Sequence, residues 1–475
     1  MSKKIIYLLF LLMALTLAFA SCKKDNGLNP TTGFNNPIIP SVTNSIKDED
    51  KNVQTNTGGL YEDWDSIKDL TVIENYAAID KARAGTNYYR NPIVVALGYK
   101  TVMIIFESRM GFGGSENGTG VNGKDPVALA YTIGVNSGDP NDFYKIAQPS
   151  SFQTGPEYYV SDFVVYYQKL PTSDTATLYI IASSGAGLSR TNTPYASRTI
   201  KSKLRYMACT ITTSPTSADF RWNDDWTDLE ITDSSLSDIQ FGTHSARGVI
   251  ASDGSLILPI ITADLGTTSE PKENMGVRFY KVNANGRTLT LGSQIGRSIE
   301  FKDSSNYKEV QAVAYDASKV TYLAIPNSSR NNYTMGKGTS ANSTVTALTG
   351  VKGSDGSFGF LKISKGWYGT NQYDPKLYVT SPSTAGSKAE DTILFSHTES
   401  KLGANYLYML NDYYTSKGKS ILQIGETSKS SSIDVLADGT IIMASERDGE
   451  ETANGLKFSI YFSRYTQKYL AEQLK

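Results

Sequence analysis

Tyr89-Arg90-Asn91-Pro92, then Ile93-Val94-Val95-Ala96-Leu97, Gly98-Tyr99-Lys100, Thr101-Val102-Met103-Ile104-Ile105-Phe106 and Glu107-Ser108-Arg109 form the stretch that decides the fold. Two apolar runs of strand length, rich in β-branched residues, flank a turn that opens with glycine. That pattern predicts a β-hairpin. Hairpin strands run antiparallel, so the two open ends lie together. Arg90 and Arg109 then emerge on one rim of a sheet. Two guanidinium forks converging there point to an anionic ligand, because each fork grips a carboxylate bidentately.

Working outward, the same unit recurs. Apolar strand, turn and apolar strand are read at Asp162–Ala182, Gly248–Ile261, Val310–Ile325, Gly353–Ser364 and Ile433–Ser445. Ser252-Asp253-Gly254 and Ala437-Asp438-Gly439 supply hairpin turn chemistry, since Asp and Gly tolerate positive φ. With the opening hairpin this makes six units. Helical periodicity is confined to the last turns, Thr466–Lys475. The fold class expected is all-β, as six blades of antiparallel sheet around a channel, with a pair of β-sandwiches as the alternative.

The chain has 475 residues and a formal net charge of −1. The absence of a basic excess argues against nucleic-acid binding. Thirty tyrosines and seventeen phenylalanines suit strands, and tyrosine rings also suit sugar faces. Two histidines, His244 and His397, argue against a His-rich metal site and leave a Ser-His-Asp triad little choice of base. Gly118–Lys124 is close to a phosphate loop in spelling, but Asp125 stands where Ser or Thr is required. No metal and no cofactor is expected.

At the N-terminus, Lys3 and Lys4 precede an apolar run from Ile5 to Phe19 and then Ala20-Ser21-Cys22. The run falls short of a membrane span and ends in small residues, the pattern of a secretory signal. It resembles the lipobox of bacterial lipoproteins. The resemblance implies cleavage before Cys22, lipidation of Cys22 and a protein anchored in the bacterial cell envelope at the outer membrane. The organisation expected is a signal peptide at 1–21, the lipidated cysteine and a flexible linker at 22–65, and the β domain at 66–475. The linker is expected from its Asn-, Thr-, Ser-, Pro- and Asp-rich composition. Cys209, inside the strand expected from Leu204 to Thr210, is expected to be a plain core residue.

The ordered motifs of the body resemble those of the sialidase (neuraminidase) family, whose propeller opens on Phe/Tyr-Arg-Ile-Pro, continues through a hairpin and closes it with Glu/Asp-x-Arg. Here these are Tyr89-Arg90-Asn91-Pro92 and Glu107-Ser108-Arg109, with Asn91 replacing the isoleucine. Asn306–Val313 is similar to the family's Glu-x-Gln-Val segment, and Ala437–Glu446 to its closing Asp-Gly-Thr-Ile strand ending in glutamate. Trp222-Asn223-Asp224-Asp225-Trp226 is an eroded Asp-box (BNR) turn. The resemblance spans about Leu70 to Leu470 and implies a six-bladed, sialidase-like β-propeller.

The family holds a sugar carboxylate with three arginines, attacks with a tyrosine activated by a glutamate, and uses a loop aspartate as acid and base; it stands outside the two-carboxylate scheme of most glycosidases. By resemblance Arg90 is the first arginine, Glu446 the acid that steadies it, Arg109 a further site arginine and Glu309 the base. Asp125 is the expected acid/base group, with Glu116 second. Arg330 lies near the position of the second triad arginine, and Lys401 is the cation nearest the third. The nucleophile position falls in Ser430-Ser431-Ser432, so Ser430 stands where tyrosine is expected; Tyr413 and Tyr414 are neighbouring substitutes. The expectations are an exo-glycosidase acting on sialic acid or a related acidic sugar, or the same monomeric propeller as a glycan-binding protein that has lost its nucleophile. A propeller serving protein contacts is a third possibility.

Overall fold

The computed structural model describes residues 73–81, 87–98, 101–110, 127–134, 143, 146–148, 159–169, 175–213, 218–251, 253–301, 307–316, 319–326, 334–338, 343–347, 359–363, 392–398, 403–410, 419–436, 440–452, 455–465 and 469. The fold is all-β: among the described residues the elements are strands, apart from two short 3-10 turns at Tyr195–Ser197 and Ser234–Leu236. The signal and linker expectations, the Asp125 loop and the turn at 437–439 lie outside the described residues. Of the expected C-terminal helical stretch, Tyr469 is described; it is helical and stacks on Tyr465.

The described strands form six sheets. The first holds Asn87–Gly98, Thr101–Met110 and Val127–Gly134. The second is built on Val160–Lys169, Thr175–Gly185, Ser202–Thr213 and Ala218–Trp222. The third is built on Leu256–Gly266, Pro271–Asn285 and Thr288–Phe301. The fourth pairs Tyr307–Asp316, Lys319–Pro326, Thr334–Gly338 and Ser343–Ala347. The fifth pairs Gly359–Ile363, Thr392–Thr398, Gly403–Leu410 and Lys419–Ser428. The sixth places Ile73–Ile79 beside Gly455–Tyr465, followed by Ile441–Thr452 and Ser431–Val435. Pairing is antiparallel except where Ala246–Arg247 runs parallel to Val164–Val165.

The opening hairpin forms as expected and brings its open ends together, with Tyr88 opposite Arg109 and Arg90 opposite Glu107. Its apolar runs are continuous and not alternating because both faces are covered. Ile93, Val95, Met103 and Ile105 pack with Phe163, Val165 and Ile180 of the second sheet. Val94, Ala96, Ile104 and Phe106 pack with Ile442, Ala444 and Phe462 of the sixth. Further cores join the second sheet to the third and the third to Ala312 of the fourth. Thus the sixth, first, second, third and fourth sheets are joined in that order by shared cores. Cys209 is a free, fully buried member of the first of these cores.

Reading strand pairs from the sequence undercounted the sheets' strands. Pro271–Asn285 and Thr288–Phe301 alternate polar and apolar residues over long spans, and in the second the outward residues are mostly exposed. A two-run apolar template misses such half-solvated strands.

One close approach ties the second and third sheets. Gly248 donates its N–H to the Val165 carbonyl at 2.8 Å. A Cβ there would lie 2.1 Å from a ring carbon of Tyr166. Tyr166 cannot move aside cheaply, since it is fully buried and its hydroxyl donates to the Ile257 carbonyl at 2.9 Å. Gly248→Ala therefore overpacks the core and is expected to lower stability by about 1–3 kcal/mol. A urea midpoint unchanged from wild type would refute this.

Candidate functional site

Asn91 is the pivot of the site. The hairpin register slips between Arg90 and Ile93, which marks a bulge at Asn91-Pro92. Asn91 sits at φ 54°, a left-handed conformation that asparagine tolerates and isoleucine does not. Its departure from the resembled motif thus has a local cause. Bulges of this kind re-aim side chains at functional rims.

The Asn91 side chain joins three elements. Its Nδ2 donates to Glu107 Oε1 at 3.2 Å, and its Oδ1 accepts from Ser430 Oγ at 3.0 Å. Its backbone N–H donates to Glu446 Oε1 at 2.7 Å. Glu446 also accepts from Arg90 Nε at 2.8 Å and from the Ser430 N–H at 3.1 Å. Glu107 accepts from Arg109 Nε at 2.8 Å, from Arg109 Nη2 at 2.5 Å and from the Asp162 N–H at 2.8 Å. The guanidinium of Arg90 stacks over Phe458 at 4.8 Å.

Both glutamates are fully buried, and Arg90 and Arg109 are 2% and 4% exposed. Charges removed from water to this degree are tolerated because each is paired and hydrogen-bonded. Even so, Nη1 of Arg90 and Nη1 of Arg109 are buried with no hydrogen-bond partner among the described residues. Asn91 and Asp162 are the partly exposed members of the cluster, so the approach from solvent lies beside them.

The electrostatics follow from this packing. Burial works against the Glu446 carboxylate, but the Arg90 charge, hydrogen bonds from Arg90 and the Asn91 N–H, and the Lys429 charge hold its pKa below the usual range. Burial likewise disfavours the Arg109 cation, and Glu107 more than offsets this, so its pKa rises. Asp162 goes the other way: burial, then repulsion from Glu107, lift its pKa from 3.8 to about 7 against the pull of Arg109 and of Ser161. Asp162 also sits at φ 57° and donates no charge to a salt bridge among those described. Residues held in such a conformation at a rim are a recurring mark of functional sites.

A raised carboxyl pKa has a stability consequence with a definite sign. Between about pH 4 and about 7 the native state holds a proton that the unfolded state has released. Stability therefore falls through that window as pH rises, on account of this group. Asp162→Asn is expected to remove that slope and to gain most stability above pH 7. Urea unfolding at pH 5 and pH 8 checks it: equal differences between variant and wild type at both values would refute the assignment.

Of the residues expected from sequence, Arg90, Arg109 and Glu446 come together here. Ser430 joins them, but as a fully buried hydroxyl engaged with Asn91. Glu309 stands on the strand Tyr307–Asp316 in register with Ile325, and its side chain lies outside the described residues. Asp125, Glu116, Arg330, Lys401, Tyr413, Tyr414 and Cys22 also lie outside them. Sequence reading missed the roles of Asn91, Glu107, Asp162 and Lys429. Glu107 lay inside the quoted motif. Lys429, 6% exposed, adjoins Ser430 and supplies a third cation. Asp162 carried no sequence signal beyond opening a strand. Trp222 and Trp226, the ends of the eroded turn, point into the core shared by the first two sheets, where Trp222 Nε1 donates to Tyr131 Oη at 3.2 Å.

No family model and no curated protein matches the chain. Solved structures do. A leech intramolecular trans-sialidase, complexed with 2,7-anhydro-Neu5Ac, is 11% identical with a TM-score of 0.54, covering 85% of this chain and 72% of that one. A Hadza microbial sialidase is 14% identical with a TM-score of 0.53, covering 83% and 68%. The Trypanosoma rangeli sialidase, in complex with 2,3-difluoro-KDN, is 15% identical with a TM-score of 0.52, covering 82% of this chain and 54% of its own. The chain therefore spans about half the length of the last. At these identities the likeness is one of fold: the chain is sialidase-like in its β architecture.

Proposed function

We propose that this rim binds the carboxylate of an acidic sugar, sialic acid or a close relative, on a six-bladed sialidase-like propeller whose blades are the six sheets. The observation that carries the reading is the pair of buried, unpartnered Nη1 donors on Arg90 and Arg109. Each is a desolvated cationic donor already fixed in place by its glutamate, so a carboxylate gains charge-assisted bonds at little ordering cost. Among the described members, Arg90, Arg109 and Lys429 face Glu107, Glu446 and Asp162, and burial with repulsion from Glu107 raises the pKa of the last to about 7. The acidic sugars in the leech and trypanosomal structures accord with that choice of ligand.

Binding without hydrolysis is the reading favoured at Ser430. Its hydroxyl is buried and donates to Asn91, so the two departures from the family's motifs satisfy each other. A buried, donated hydroxyl is a poor nucleophile. Hydrolysis is the second reading, favoured by Asp162, whose near-neutral carboxyl suits general acid–base work. It needs a nucleophile other than Ser430, with Tyr413 or Tyr414 activated by Glu309 and with Asp125 or Asp162 as the acid.

The test offers a fluorogenic sialoside to the purified protein and titrates free sialic acid in parallel. Binding without turnover is expected. Turnover abolished by Glu309→Ala would replace this reading with an enzymatic one; silence in both assays would sink the sialic-acid reading. Cys22 is proposed as the lipidation site that anchors a monomeric protein in the bacterial envelope, to be checked by labelled-palmitate incorporation into wild type and Cys22→Ala.

A further inference from the structure

The loop joining Thr175–Gly185 to Ser202–Thr213 is one-signed. From Gly185 to Arg205 it carries Arg190, Arg198, Lys201, Lys203 and Arg205 and not one Asp or Glu. Lys203 and Arg205 share Asp228, at 3.4 and 3.0 Å. Arg198 and Lys201 have backbone partners instead. Arg198 Nε donates to the Thr193 carbonyl at 3.0 Å and its Nη1 to the Ser189 carbonyl at 2.8 Å. Lys201 Nζ donates to the carbonyls of Tyr195 and Ala196 at 2.8 and 3.0 Å.

Both cations also lie against one ring. The Arg198 guanidinium is 5.6 Å, and Lys201 Nζ 4.6 Å, from the centroid of Tyr195. Two like charges held around one aromatic repel each other, and neither has a described carboxylate to offset the cost. Arg198 Nη2 is moreover buried with no hydrogen-bond partner among the described residues. The carbonyl bonds fix the cations' direction without neutralising them. The cluster keeps a net positive charge that an anion would offset.

The base of the loop lies close to Asp162. Ser183, at the end of its leading strand, pairs with Ser161, the neighbour of Asp162. Thr243 Oγ1 donates to the Asp162 carbonyl at 2.6 Å, and the Thr243 N–H donates to Ser183 Oγ at 2.7 Å. Gly242, next in the chain, leaves so little room that an added Cβ would lie 3.2 Å from Leu188 of the loop. One residue thus separates the base of the loop from Asp162.

We propose that Arg198 and Lys201, with the Tyr195 ring between them, form a second anion-binding subsite that takes a second negative group of the same acidic glycan. This rests on the carboxylate reading of the Arg90 site and narrows its ligand to a glycan carrying two anionic groups. Arg198 Nη2 and the remaining ammonium hydrogen of Lys201 are the donors left for a carboxylate or a sulfate, and the ring takes an apolar sugar face.

Calorimetric titration of the full protein tests this with three probes: a sialic acid methyl glycoside, the α2,8-linked sialic acid dimer and a 6-sulfated sialoside. Wild type is expected to bind the dimer or the sulfated probe about tenfold more tightly than the single-acid probe, a gain that shrinks with added salt. Whichever arm shows the gain identifies the second group. Arg198→Ala with Lys201→Ala should erase the gain and leave the single-acid affinity unchanged. Lys201→Gln, a milder variant, should reduce it in the same sense should the double variant fold poorly. Equal affinity of wild type for all three probes, or a variant that weakens all three alike, overturns the proposal. Failure of the single-acid probe to bind wild type would instead overturn the reading of Arg90. The loop subsite then stands only if the dimer or the sulfated probe still binds and the double variant abolishes that binding.

Discussion

Glu446→Ala is expected to lose about 3–5 kcal/mol of stability, the largest loss of any single change at the rim. The carboxylate is fully buried and holds three donors: Arg90 Nε, the Asn91 N–H and the Ser430 N–H. Its removal strands a buried guanidinium and two backbone donors at once. Glu446→Gln separates charge from shape. An amide oxygen could still accept from Arg90 and Asn91, but its NH2 would then face the Ser430 N–H, donor against donor. It should therefore be destabilised too, though less than the alanine variant. The pH dependence has a definite direction. The folded pKa of Glu446 lies below its ordinary 4.5, so its contribution is present above that value and lost as pH falls through the folded pKa. Thermal or urea unfolding at pH 7 and pH 3 measures this. A wild-type advantage over Glu446→Ala that is no smaller at pH 3 would contradict the account.

Arg90→Lys is expected to weaken binding of an acidic sugar by about 10- to 100-fold, the loss of one charge-assisted hydrogen bond. Alanine is the poorer test, because it would leave Glu446 short of its main counter-charge. Lysine keeps the positive charge near Glu446. It loses the rigid fork that points one edge at the glutamate and leaves Nη1 over for a ligand. The result should be a large loss of affinity with a smaller loss of stability. Affinity for free sialic acid equal to that of wild type would remove Arg90 from the binding site.

How much of this was legible in the sequence depends on where each instruction is written. The opening hairpin was legible because Ile93–Leu97 and Val102–Phe106 are buried on both faces, and such strands are spelled as unbroken apolar runs. The half-solvated strands of the third sheet were not, since alternation over long spans dilutes the apolar signal. In the site, Arg90, Arg109 and Glu446 were found because short motifs carry them. Asp162 was not, because its altered acidity comes from burial beside Glu107, 55 residues away in the chain. Asn91 and Ser430 each looked like a lost motif residue when read alone. Their hydrogen bond spans 339 residues, a relation no local pattern can express.

The sixth sheet also governs the order in which the molecule can be made. Ile73–Ile79 is the earliest strand described, yet its partner is Gly455–Tyr465, with Ile79 opposite Ile460 and the Lys81 N–H donating to Ser459 Oγ at 3.0 Å. Wherever the chain emerges, at the ribosome or across a membrane, that early strand must therefore wait without this partner until more than three hundred further residues have followed. Its exposed edge is a template for wrong partners during that wait. The same pairing makes the arrival of Gly455–Tyr465 the event that latches the sixth sheet, so a chain truncated before Gly455 should be open to proteases at Ile73–Ile79.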